Sequence, residues 1–172
     1  MAGQAGRLIA LALAGALLVA SGPSALDPVK ALAGRYSSHF RNEMADGTAY
    51  GSDDVVEIVP VDANHAYVRF SLEFANLHVC DLAGIAERAG NALVYQGLPG
   101  DIGEERRTCR LTVRRQGKRL AWDDDYSCKA HCGARGGFNS GFVPWSSKRP
   151  ITYLARLKRS RQFQTAMSEW RR

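Results

Sequence analysis

The sequence predicts an all-β fold with a C-terminal helix, an antiparallel barrel or sandwich of about seven to eight strands. Three observations predict it. Apolar and polar residues alternate with period two through most of the stretch from Arg35 to Asp123. Turn-forming Gly, Asn and Asp interrupt that alternation at short, near-regular intervals. After Pro150 the apolar spacing becomes that of a helix. The chain has 172 residues, 45% hydrophobic and 23% charged, which is ordinary globular composition. That excludes a long disordered chain, a collagen-like chain and a multi-pass membrane protein. The expected division is residues 1–25 as a signal peptide and 26–172 as one disulfide-stabilised domain.

Residues 1–25 read as an export signal. Arg7 supplies a positive charge ahead of the apolar run Leu8–Ala20, and small residues follow it. That run falls short of the roughly 20 apolar residues needed to span a bilayer, and it fits a signal core of about 7–15. No Cys lies there to carry a lipid anchor.

Tyr36, Ser38 and Phe40 alternate with Arg35, Ser37 and His39 in the first expected strand. A polar stretch from Asp46 to Asp53 reads as a loop, and the β-branched Val55–Val61 as the second strand. The clearest strand places Val68, Phe70, Leu72 and Phe74 inward, with Arg69, Ser71 and Glu73 in water. Asn76, Gly90-Asn91 and Gln116-Gly117 then punctuate strands at His78–Glu87, Ala92–Gln96, Thr108–Arg115 and Lys118–Asp123. Gly97–Glu105 reads as a looser connection. An eighth strand is expected at Gly141–Pro144 or Ile151–Leu154, after a glycine-rich loop from Cys128 to Trp145. Leu154, Leu157, Phe163, Met167 and Trp170 define a helix over Leu154–Trp170, more often packed on the sheet than laid on a membrane.

Cys80, Cys109, Cys128 and Cys132 make an even set in an exported chain, which argues for two disulfides. The inward faces of Cys80 and Cys109 favour Cys80–Cys109 with Cys128–Cys132. Cys80–Cys128 with Cys109–Cys132 is the main rival. A zinc site at Cys128, His131 and Cys132 lacks a second ligand pair, and no metal or cofactor is expected.

Charge is unevenly spread. Residues 26–105 carry a net −8 and residues 106–172 a net +13. Either the basic half meets an anionic partner, or the two halves neutralise each other in the fold. Arg110 and Arg114 share the face opposite Cys109, Leu111 and Val113, so they project outward and suit carboxylates or phosphates. Protection of a strand edge is the competing explanation. A second candidate group is His131, Arg135 and Asn139 in the glycine-rich loop, since loops on rigid scaffolds commonly carry function. Asp123, Asp124 and Asp125 lack the spacing of an EF-hand and read as a solvated strand end. No nucleophile elbow, HExxH or P-loop occurs, so no catalytic residue is expected.

His78-Val79-Cys80, Gly84-Ile85-Ala86, the run Gly90–Tyr95 and C-x-x-x-C-G-A-R-G at Cys128–Gly136 resemble a family of small exported bacterial proteins. The expected architecture resembles the disulfide-bonded barrels that include periplasmic lysozyme inhibitors. The export signal, the disulfide-stabilised barrel with charged edges and the lack of a catalytic motif point to a periplasmic or secreted, non-enzymatic binding module, for which the resemblance implies an inhibitor of an envelope-active enzyme as one form. A carrier of a small or anionic ligand in a barrel mouth is the alternative, and an envelope hydrolase the second. The expected partner is an envelope protein or anionic ligand rather than nucleic acid. Membrane-surface contact through the C-terminal helix is a further route.

Overall fold

The computed structural model describes residues 27–102 and 105–172, without the side chains of 98–107. The export-signal expectation lies outside them. Eight strands follow one another in a single antiparallel sheet in chain order. They are β1 (Gly34–Glu43), β2 (Ala49–Pro60), β3 (His65–Phe74), β4 (His78–Ala89), β5 (Ala92–Ile102), β6 (Glu105–Gln116), β7 (Arg119–Asp123) and β8 (Gly141–Pro144). Short hairpins suffice to join such strands, because antiparallel neighbours need no crossover.

The sheet curls into a near-closed barrel. Its seam is held by Arg35 and Arg149, whose main chains exchange N–H···O bonds of 2.9 and 2.8 Å. Beyond that point the Ser37 N–H donates to Ser147 Oγ at 3.2 Å. Alternation fills the interior. Tyr36, Ile58, Phe70, Leu93, Leu111 and Leu120 are all buried there. Phe70 meets Trp122 edge-on, with ring centroids 5.2 Å apart.

A second apolar layer lies outside the barrel. Odd-numbered residues of β2, β3 and β4 face away from the interior, and Val59, Tyr67 and Ile85 among them are apolar. The C-terminal segment covers them with Leu157, Phe163 and Ala166. Tyr67 and Phe163 rings lie 4.8 Å apart. Burying a side chain such as Phe163 stabilises the arrangement by roughly 1.5–3 kcal/mol. The segment is not one helix as expected. It divides into α2 (Leu154–Lys158) and α3 (Arg161–Trp170), after the four-residue α1 at Pro28–Ala31. Ser160 makes the break, because its hydroxyl accepts the Phe163 N–H and starts α3 afresh. Leu154 and Trp170, expected on the packed face, are more than a third exposed.

Beneath this layer sits a buried ion pair that alternation alone hid. Glu57 is completely buried on the outer face of β2. Its Oε2 accepts from Arg69 at 2.8 Å, and Oε1 accepts from the Tyr153 hydroxyl just before α2. Tyr67 lies close by, and burial pushes its phenol up to about 12.

Other boundaries moved outward. The expected loop at Asp46–Asp53 is largely strand: β2 begins at Ala49, and the turn is confined to Met44–Thr48. The looser Gly97–Glu105 connection is mostly the ends of β5 and β6, with a register shift between Gln96 and Pro99. Of the two places considered for an eighth strand, Gly141–Pro144 is the one used.

Both disulfide arrangements favoured by the sequence are wrong. The bonds are Cys80–Cys132 and Cys109–Cys128. Cys80 and Cys109 do face inward, yet their strands are not neighbours. Each instead reaches the loop between β7 and β8, and the two bonds tie that loop to β4 and β6.

Candidate functional site

The loop from Asp124 to Ser140 plugs one end of the barrel. Phe138 is 1% exposed and stands edge-on to Phe70 within the interior. Asp124 organises the first turn. Its carboxylate accepts from the N–H groups of Tyr126 and Cys128 at 3.1 and 2.9 Å. It is buried, so the reading of Asp123–Asp125 as a solvated strand end fails for its middle member. Lys129 organises the second turn by donating to the carbonyls of Gly133, Ala134 and Gly136 at 2.8, 2.9 and 2.7 Å. An ammonium has three N–H donors, and here all three are used.

Three non-glycine residues of the loop have positive φ: Asp125 at 44°, Tyr126 at 65° and Ser140 at 53°. Such conformations cost on the order of 1–3 kcal/mol each and persist only where surrounding bonds impose them. The Asp124 bonds and the Cys109–Cys128 disulfide hold the first two, and the bond from the Ser140 N–H to Asp123 holds the third. The result is a rigid loop that displays Tyr126 at 70% exposure.

The expected loop residues do not converge on one point. His131 is half-buried on a short 3-10 turn, and burial holds its imidazole below the ordinary histidine range against an opposing hydrogen bond with the Asp81 main chain. Arg135 is exposed. Asn139 is exposed further along, its amide donating to the Tyr126 hydroxyl at 3.4 Å. Cys128 and Cys132, weighed as zinc ligands beside His131, are both consumed in disulfides.

Arg110 and Arg114 project outward from β6, as alternation requires. They line different hollows. Arg114 belongs to a cleft of about 260 Å³ with Thr112, Arg119, Asp123, Ser140 and Phe142. Arg110 belongs to a neighbouring cleft with Glu87, Arg88 and Trp170.

Register explains the first cleft. Arg114 pairs with Ala121, and Ala121 with Phe142, so the three form one row across β6, β7 and β8. A methyl group between two large side chains leaves a hollow. The Arg119 guanidinium stacks on the Phe142 ring at 3.8 Å, which fixes both. Asp123 Oδ1 accepts the Ser140 N–H at 2.9 Å, joining the cleft to the plug. Gly141 completes the wall, since a Cβ there would collide with the indole of Trp122. Sequence reasoning missed Ala121 and Phe142 as site residues, and counted Arg119 only within the charge of the basic half. The signal lay in the tight turn at Gly117, φ 58°, which sets the β6–β7 register.

The charge imbalance persists among the described residues. Among the described residues, the ion pairs are His39–Asp53, His65–Asp62 and Arg69–Glu57. All six residues come from the acidic half. No Arg or Lys of the basic half contacts a carboxylate among the described residues, so among these the halves do not neutralise each other by direct pairing.

The class defined by these observations is an eight-stranded, near-closed antiparallel barrel with two disulfides and a C-terminal helical cover. No family model matches the chain, and no curated protein or solved structure matches it. Disulfides of this kind suit an oxidising environment outside the cytoplasm. Among the described residues, no helix is long and apolar enough to cross a membrane.

Proposed function

We propose that the protein is a non-enzymatic binding module of the periplasm or extracellular space, which docks an anionic partner on the outer face of β6–β8. One observation carries the reading. Arg110, Arg114 and Arg119 stand on an outward sheet face, and among the described residues none has a carboxylate partner. Planar guanidinium groups left in that state favour carboxylate or phosphate ligands. The C-terminal helices cover β2–β4 and border this face only at Arg110, whose cleft includes Trp170. The packed interior, with Phe70 and Leu72 buried, supports surface docking over carriage in a barrel mouth. The apolar side of α3 is spent on the sheet, which weighs against membrane attachment by that helix.

The test is salt elution from an immobilised polyanion. Wild type is expected to stay bound at about 0.15 M salt. Replacing Arg110, Arg114 and Arg119 by Gln is expected to release it, whereas replacing Lys158, Arg159 and Arg161 by Gln is not. Equal release by both triple variants would mean that net charge alone is responsible and would reject the reading.

A second reading makes the anionic partner an envelope-active enzyme and the protein its inhibitor. The rigid loop presenting Tyr126 beside Asn139 favours it, because exposed aromatic side chains on fixed loops make good interface anchors. Dose-dependent inhibition of such an enzyme, lost on Tyr126→Ala, is the expected result; no inhibition by the oxidised protein would remove this reading.

A further inference from the structure

Resting on that reading, we propose that the cleft formed by Arg114, Ala121 and Phe142 is a subsite for one acid-bearing sugar ring of an acidic polysaccharide. The cleft is chemically mixed in a way that selects among anions. Arg114 and Arg119 supply the forks that pair with a carboxylate. Phe142, 45% exposed with Arg119 over its ring, offers apolar ring surface against which the C–H groups of a sugar pack. A phosphate chain has no apolar face to place there.

Asp123 argues further. One of its oxygens holds the Ser140 N–H, and the other has no partner among the described residues. A carboxylate in the wall repels a densely charged chain but accepts hydrogen bonds from sugar hydroxyls. Thr112 and Gln116 line the same cleft and both donate and accept. The hollow is concave, and the Phe142 ring lies against Arg119 rather than projecting. A flat anionic bilayer therefore gains little from it, whereas a polymer chain can lie in it. Arg110 stands four residues away on the same strand face, about 14 Å at ~3.4 Å per residue. That places a second guanidinium where a later acid group of the same chain would pass.

The experiment measures binding of the oxidised chain to polygalacturonate, polyphosphate and neutral dextran at about 0.15 M salt. Polygalacturonate is expected to bind at least about tenfold more tightly than polyphosphate, with no binding to dextran. Ala121→Met fills the hollow without changing charge, and Phe142→Ala removes an exposed ring at little cost to the core. Each is expected to weaken polygalacturonate about tenfold and leave polyphosphate unchanged, with far-UV circular dichroism and melting temperature retained. Equal binding of the two polyanions, or no effect of Phe142→Ala, overturns the sugar assignment and leaves the arginine face standing. No binding to either polyanion overturns both.

Discussion

The ring of Phe138 stands edge-on to that of Phe70, with centroids 5.7 Å apart, so a loop residue completes the core of the barrel. The loop that carries Phe138 is thus part of the folded core rather than an appendage. Phe138→Ala removes a fully buried ring, and the expected cost is about 3–5 kcal/mol. Urea unfolding of the variant checks this. A loss below about 1 kcal/mol would show that the plug is not integral.

The two disulfides should differ in their contribution. Cys109–Cys128 spans 19 residues and Cys80–Cys132 spans 52. Chain-entropy arguments assign about 3 kcal/mol to the shorter loop and about 4 kcal/mol to the longer. Paired Cys→Ala variants at each bond are expected to lose stability in that order. Peptide mapping under non-reducing conditions should link the Cys80 and Cys132 peptides. A Cys128–Cys132 bond in that map would contradict the arrangement.

Glu57 ties the C-terminal cover to the barrel. Tyr153→Phe removes its phenolic donor, and the expected loss is about 1.5 kcal/mol for a hydrogen bond to a charged group. Glu57→Ala leaves Arg69 beneath the cover without its carboxylate. Arg69 keeps 29% side-chain exposure, so the cost should fall below the roughly 3–5 kcal/mol of a fully buried broken pair. Thermal melts of both variants measure the order. If Tyr153→Phe is the more damaging, the ion pair is not the anchor.

Burial lowers the His131 imidazole from its ordinary value, so the fold favours the neutral ring. In the unfolded chain the group titrates near ~6.5. Its contribution to stability is therefore complete above that pH and is lost as pH falls through the depressed folded value. Wild type should lose more melting temperature than His131→Gln on going from about pH 7.5 to about pH 5.5. Equal losses would show that His131 titrates as if exposed.

Much of the barrel was legible because its signal is local. Val68, Phe70 and Leu72 alternate with Arg69, Ser71 and Glu73, and a half-buried strand needs nothing more. The break at Ser160 was legible but overlooked: Leu157 and Phe163 stand six residues apart, about 120° away from a shared helical face. Glu57 was hidden because its neighbours Val56 and Ile58 point into the barrel while it points beneath a cover formed by residues about a hundred positions later. The disulfides failed for a similar reason: an inward direction for Cys80 and Cys109 says nothing about which strand lies opposite. The outward directions of Arg110 and Arg114 were readable from alternation. Their separation into two clefts was not, because a cleft depends on which side chains the neighbouring strands place in the same row.

The central claim is that the outer face of β6–β8 is the working surface. Amide chemical-shift mapping during titration with polygalacturonate tests it most directly. The account predicts saturable shifts at Thr112, Arg114, Ala121 and Phe142, with β2 and α2 unmoved. Shifts confined to the C-terminal helices, or to the plug around His131 and Arg135, would contradict it.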